Sequence, residues 1–213
     1  LLDIAYSFEQ ETNARTLPKT TPNFEMNVEE KPTFKDVSSY VDEIMYLTDK
    51  GIIKGYPDGT FKPNNPITRL QAIQMIFKAK GIVDFSDVTD PGFVDVSPGD
   101  DGYEEIAKAA ELGIINGKMN AQGKRYFDPN GNLTRAHAAA ILVSAYDLKG
   151  THPNDFKDVP KDNWAHDYVS TLVANNITTG YTNDEFKPNS TISRQHFAVF
   201  MARSLDDHFK PTK

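Results

Sequence analysis

Three stretches of this chain begin alike, and that repetition constrains the fold more than any other feature. Phe34-Lys35-Asp36-Val37, Phe93-Val94-Asp95-Val96 and Phe156-Lys157-Asp158-Val159 each open the same ordered series of signals. An apolar pattern of helical period comes first, as in Val41, Ile44, Met45 and Leu47 or Tyr168, Val169, Leu172 and Val173. It stops at a Gly-Ile-x-x-Gly-like pentapeptide, at 51–55, 113–117 and 176–180. Gly51, Gly113 and Asn176 head these stops, and Gly and Asn tolerate the left-handed conformation that closes a helix.

A turn and an aromatic follow. The clearest copy is Tyr56-Pro57-Asp58-Gly59-Thr60-Phe61, with Tyr181 to Phe186 its equivalent and a longer version ending at Phe127. Each copy then reads Pro-Asn and starts a second helix at Thr68-Arg69, Thr134-Arg135 or Ser193-Arg194. Thr and Ser are good N-caps, and Thr68 with Gln71 fits a capping box. The second helices are expected to run to about Lys80, Ala145 and Ser204, with matching apolar columns such as Met75, Ile141 and Phe200. The expected fold is therefore all-α: three helix-loop-helix repeats at 34–82, 93–148 and 156–205, with no convincing strand. One such unit cannot bury its apolar face alone, so 34–205 are expected to form one domain. Residues 1–33, with Pro18, Pro22 and Pro32, read as an arm or linker with a short helix near Ile4 to Phe8.

The net charge is −7, which disfavours nucleic acid as a partner. An anionic partner must then be held by a local cluster of cations. The absence of cysteine removes thiol catalysis, disulfides and thiolate metal sites. No apolar run approaches the length of a membrane span. The first ten residues lack a basic start and a cleavage site, and there is no initiator Met, so a processed protein or a fragment is expected. A glycosidase would need two carboxylates at a set separation. The pairs Asp100-Asp101, Glu104-Glu105 and Asp206-Asp207 do not occupy one repeat-equivalent place. A calcium loop beginning at Asp128 fails, with Gly fourth and Ala139 twelfth. No enzyme activity, metal or cofactor is expected.

The series Phe-x-Asp-Val, Gly-Ile-x-x-Gly-Tyr-Pro-Asp-Gly-Thr-Phe-x-Pro-Asn and Ile-Thr-Arg resembles the S-layer homology domain, over residues 34 to about 205. The resemblance implies a three-pronged, pseudo-threefold helical spindle. It implies an extracellular module, monomeric as a domain, that anchors surface proteins of Gram-positive bacteria to the wall. Binding is to an anionic secondary cell-wall polysaccharide, often carrying a pyruvate ketal, in grooves between repeats that use a Thr-Arg-Ala-Glu-type motif. Here the Glu or Gln of that motif survives only as Gln71, with His137 and His196 in the other copies. The second copy has Gly117-Lys118 in place of Gly-Tyr.

The chemistry suits Arg69, Arg135 and Arg194, because a guanidinium matches a carboxylate bidentately and a helix N-terminus favours anions. The other reading is that each Arg pairs with an Asp or Glu of the next repeat and stitches the spindle together. Lys62 and Lys187, beside the loop with Asp58, add positive charge or are ordinary solvated lysines. Tyr56, Tyr181 and Trp164 offer faces for a sugar ring or simply pack. Gly55 and Gly180 allow close approach of a ligand or serve the loop. Phe34, Asp36 and their equivalents read as structural. His137 and His196 stand in for Gln71 as neutral acceptors or bind with proton uptake. The competing function is a degenerate repeat domain contacting another protein at the cell surface.

Overall fold

The computed structural model describes residues 33–153, 156–182 and 184–212. They belong to one compact unit, Pro32–Lys213. The arm at 1–32 and its expected helix near Ile4 lie outside the described residues.

Each repeat contributes a nine-residue and a twelve-residue helix. These are α1 (Val41–Asp49) and α2 (Arg69–Lys80), α3 (Tyr103–Glu111) and α4 (Arg135–Tyr146), and α5 (His166–Ala174) and α6 (Arg194–Leu205). The long helices are capped as expected. Thr68, Thr134 and Ser193 accept from the N–H groups of Gln71, His137 and His196, and Gln71 completes a capping box. The short helices end on Gly51 (φ 69°), Gly113 (φ 69°) and Asn176 (φ 55°). There Ile52 N–H reaches Leu47 O, Ile114 reaches Ala109 and Ile177 reaches Leu172, at 2.9–3.0 Å.

Two features differ from expectation. The longer loop of the second repeat forms a small hairpin, β1 (Lys118–Met119) paired antiparallel with β2 (Arg125–Tyr126). Its extra residues pair with each other because the loop is long enough to turn back through Gly123 (φ 72°). The helices also pack across repeats: α2 lies on α3, α4 on α5, and α6 on α1. Each long helix covers the short helix of the following repeat, and the third covers the first, so the chain closes on itself.

That closure is visible in the backbone. Leu133 N–H donates to Ile67 O and Ile192 N–H to Leu133 O, both at 2.9 Å, and Ile67 N–H to Ile192 O at 3.3 Å. The three bonds form a ring in which every repeat gives to one neighbour and takes from the other, which is the pseudo-threefold arrangement. All three side chains are buried, at 0–1% exposure, beside Ile73, Ile76, Leu142, Phe197 and Met201. Burying each such side chain is worth about 1.5–3 kcal/mol.

The Phe-x-Asp-Val motif locks the loops onto this ring. Asp36 accepts from Phe61 N–H (2.8 Å) and Lys62 N–H (2.9 Å). Asp95 does the same for Phe127 and Asp128, and Asp158 for Phe186 and Lys187. The second residue of each pair is left-handed: Lys62 at φ 56°, Asp128 at 61° and Lys187 at 59°. The Phe of the motif rests on the loop aromatic, as in Phe34 on Phe61, with centroids 5.4 Å apart. It also explains Gly55 and Gly180. A Cβ on Gly55 would come within 2.1 Å of Phe34 Cε1, and one on Gly180 within 2.4 Å of Phe156 Cε1.

Candidate groove-floor arginines

The helix cap places the next residue, the arginine, against the neighbouring repeat. Arg69 Nε donates to Phe127 O at 2.7 Å, Arg135 Nε to Phe186 O at 2.6 Å and Arg194 Nε to Phe61 O at 2.9 Å. Each guanidinium also sits over the ring whose carbonyl it holds, at 4.8, 4.6 and 4.6 Å. The stitching reading is thus realised, but through a carbonyl. An Asp or Glu is not the acceptor, because the nearby Asp95, Asp158 and Asp36 are occupied by backbone N–H groups.

The helix ends are satisfied as well. Arg69 N–H and Leu70 N–H donate to Gly131 O and Pro129 O, Arg135 and Ala136 to Ser190 and Pro188, and Arg194 and Gln195 to Asn65 and Pro63. With the third N–H on the cap, no free amide is left for an anion at these termini, contrary to expectation. What remains is the guanidinium itself. Arg69 and Arg135 are 3% and 5% exposed, and among the described residues their Nη atoms have no hydrogen-bond partner. Arg194 donates Nη2 to Lys54 O. Burial pulls all three guanidinium pKa values down from the ordinary value.

Two of the arginines floor grooves made from all three repeats. The Arg69 groove, about 610 Å³, brings together Arg69 from the first repeat, His137 and the 114–119 loop from the second, and Trp164 and Tyr168 from the third. The Arg135 groove, about 300 Å³, brings together Arg135, Gly180, Tyr181, His196 and Arg203, with Tyr40 from the first repeat. In each, an aromatic leans on the histidine: Trp164 on His137 at 4.9 Å, Tyr40 on His196 at 5.8 Å.

The third junction is different. Arg194 lies 5.3 Å from the Tyr56 ring and Lys62 is 3.9 Å from it. Gln71 is exposed and spends its amide oxygen on Thr68 N–H. The residue preceding α3 is Gly102 (φ 76°), where a Cβ would strike Leu70 at 2.6 Å, so no side chain rises there. Among the described residues no aromatic ring is recorded against Gln71. Asp58 is held in its turn by Thr60, through N–H (3.0 Å) and hydroxyl (2.6 Å).

The histidines occupy the place of Gln71 by a different route. Thr134 Oγ1 accepts from His137 N–H at 3.2 Å and is also hydrogen-bonded to His137 Nδ1, 2.7 Å away, which fixes the ring's orientation. Ser193 and His196 repeat this at 3.1 Å. Burial, then Arg69 and Lys118, pull the His137 pKa down to about 4. Burial and Arg135 lower that of His196. Lys187 lies over Tyr181 at 3.8 Å, as Lys62 does over Tyr56. Sequence reasoning missed Tyr40, Lys118, Tyr168 and Arg203. Arg203 stands nine residues beyond its groove's next arginine, a regular position that carries Ser144 and Lys78 in the other copies, so repeat alignment alone gave no signal.

The family model of the S-layer homology domain matches three times, at residues 33–73, 92–139 and 155–198. The chain is 34% identical to an S-layer protein, sap, of Bacillus anthracis, over 81% of this chain and 21% of that protein. It is 32% identical to an uncharacterized cell wall amidase of the same organism, over 82% of this chain and 32% of that protein. It is 30% identical to a cellulosome-anchoring protein of Acetivibrio thermocellus, over 72% and 35% respectively. The chain spans about a fifth of the length of the S-layer proteins it matches.

Proposed function

The chain belongs to the S-layer homology family, an extracellular, cell-wall-associated class of module, and from that membership we propose that it anchors a surface protein non-covalently by binding an anionic secondary cell-wall polysaccharide. The observation that carries this reading is the pair of buried guanidinium groups at the floors of the Arg69 and Arg135 grooves. Each is fixed by its Nε at the floor of a cavity, and among the described residues its Nη donors are unpaired. A fixed, desolvated donor fork suits a carboxylate such as a pyruvate ketal. Aromatic faces at the rim complement the C–H surface of a sugar ring. The module itself holds its ligand without turning it over. The relatives that include an amidase and an anchoring protein support a role independent of what is anchored.

Co-sedimentation tests this directly. The chain is mixed with cell walls that retain the polysaccharide and with walls from which it has been extracted. The expected result is recovery in the pellet only with the first. Equal recovery with both overturns the reading, and release of reducing sugar from either overturns the non-catalytic part.

A further inference from the structure

The second repeat carries both Asn-Gly pairs of the chain, Asn116-Gly117 and Asn130-Gly131, each with an exposed asparagine. In such a pair the amide nitrogen that follows the asparagine reaches its side chain with least obstruction, because glycine has no Cβ. The fold treats the two pairs differently. Gly131 N–H donates to Asp128 O at 3.1 Å, and Gly131 O accepts from Arg69 N–H at 3.0 Å, so this glycine is held on both sides. Among the described residues, neither the Asn116 side-chain amide nor the Gly117 N–H has a hydrogen-bond partner.

Arg125 acts on the free pair. Its Nε and Nη2 donate to Asn116 O at 3.1 and 2.9 Å, and its Nη1 donates to Pro91 O at 3.4 Å. The guanidinium also lies 4.9 Å from the centre of the Phe93 ring. Asn116 O and Gly117 N belong to one peptide group, and resonance carries the charge of a deprotonated nitrogen onto that oxygen. A fixed cationic fork on the oxygen therefore acidifies the Gly117 N–H and stabilises its anion. Neither feature occurs in the other repeats. Lys54 and Thr179 precede Gly55 and Gly180, and Gly59 and Asp184 take the place of Arg125. Packing dictates glycine at 117, since a Cβ there would come within 2.4 Å of Phe93 Cε1. It does not dictate the asparagine.

We propose that Asn116-Gly117 is a self-modifying site, at which Asn116 deamidates with Arg125 polarising the reacting peptide. The Gly117 nitrogen gives its proton to solvent base and attacks Asn116 Cγ. The new N–C bond closes a succinimide ring, the Cγ–Nδ2 bond breaks, and the nitrogen leaves as ammonia with a proton drawn from water. Water then opens the ring at either carbonyl, giving Asp or isoaspartate. Asn116 lines the Arg69 groove beside Lys118, which is already paired with Asp128 at 3.0 Å. Among the described residues no Asp or Glu lines that groove. Conversion gives the groove a carboxylate, and the hold on an anionic polysaccharide weakens as the protein ages; this consequence, unlike the reaction, rests on the binding reading above.

The full chain is incubated in mildly alkaline buffer and followed by peptide mass mapping, with isoaspartate told from Asp by electron-transfer fragmentation. Asn116 is expected to convert at least about tenfold faster than Asn130, a barrier difference of about 1.4 kcal/mol, the size of one backbone hydrogen bond. Arg125→Gln should slow conversion of Asn116 about threefold or more, a small share of what a buried oxyanion donor contributes, because Arg125 is exposed. Asn130 is the internal control, since a loosened fold would speed that site too. Equal rates at the two asparagines, or a rate at Asn116 that is unchanged or faster in Arg125→Gln, overturn the proposal. Co-sedimentation with cell walls at low salt then compares Asn116→Asp with Asn116→Gln. The Asp variant should bind about threefold more weakly, with the difference fading at high salt. Equal binding overturns the stated consequence. Loss of wall binding in every form, wild type included, counts against the polysaccharide reading, while the peptide map still reads the reaction.

Discussion

The contacts around the pseudo-threefold axis are the same in every repeat, whereas the walls of the grooves that open beside them are not. At the axis the pattern runs Ile67, Leu133, Ile192 in the backbone ring, Phe61, Phe127, Phe186 beneath the arginines, and Asp36, Asp95, Asp158 holding the loops. At the rim Trp164 stands in one groove and Tyr40 in the next, from places one residue apart in the repeat, and at the third junction the counterpart of Tyr40 is only Gly102. Closing a ring of three requires each repeat to fit both neighbours, so a change at the axis is felt twice. A wall residue touches one groove, and its divergence leaves the fold intact. Most of the recognisable motif therefore encodes closure.

The strongest way to break this comparison is to delete the ring beneath an arginine. Phe61→Ala, Phe127→Ala and Phe186→Ala remove side chains that are 0–1% exposed, and each should cost about 3–5 kcal/mol in urea unfolding. All three losses should fall within that same range of about 3–5 kcal/mol. A repeat that tolerates the change is not an equal member of the ring.

Arg135→Ala comes next, because it lies on both sides of the comparison. It removes a charged donor from Phe186 O, for a stability loss of about 1.5–3 kcal/mol. Arg69→Ala should lose a similar amount through Phe127 O. Affinity for the polysaccharide should fall further with Arg135→Ala than with Arg69→Ala, since the Arg135 groove is the more polar one, whereas Ile114, Ile115 and Met119 line the other. Equal affinity losses would mean that the walls do not differentiate the grooves.

Smaller effects sharpen the contrast between walls. Lys187→Gln changes a half-buried rim cation and should cost about 0.5–1 kcal/mol, through its lost contact with the Tyr181 ring. It should weaken polysaccharide binding a few-fold at low salt and little at high salt, as expected for a screened charge. Lys149→Gln, whose exposed ammonium pairs with Asp147, is the matched control and should change neither.

The pH response is the finest of these effects. His137 and His196 have folded pKa values below the ordinary one, so the unfolded chain takes up their protons first. Stability contributed by the neutral rings is full above about 6.5, the unfolded value, and is lost as pH falls towards about 4. His137→Gln should flatten the fall in melting temperature across that window more than His196→Gln. Binding reads the opposite histidine. Burial and then Arg135 keep His196 neutral, and an anion bound beside Arg135 offsets the second of these, so affinity should rise from pH 7 to 5.5 and become flat in His196→Gln. Loss of affinity on acidification would contradict the sign of this argument.

Much of the axis was legible in the sequence. Thr68, Thr134 and Ser193 announce helix starts, and Gly51, Gly113 and Asn176 announce stops, because caps and left-handed residues act locally. The partner of each arginine was not legible, since Phe127 O, Phe186 O and Phe61 O are backbone atoms brought from another repeat. For the same reason the helix N-termini read as open anion sites when carbonyls such as Gly131 O already fill them. Packing of α6 on α1 joins the ends of the domain, so Tyr40 entered a groove with His196, far along the chain, without any local sign. The exchange of Tyr and Lys for Lys118 and Asp128 was visible as a broken motif, but its meaning needed the 3.0 Å pairing.

The most direct test of the account is calorimetric titration of the full chain with purified wall polysaccharide, native and stripped of its acidic ketal, in wild type and Arg135→Ala. The account predicts that wild type binds the native glycan, that stripping it and replacing Arg135 each weaken binding about tenfold or more, and that the two together cost little beyond either alone, because they remove the two ends of one charge-assisted contact. Wild-type affinity indifferent to the ketal, or losses that simply add, would contradict it.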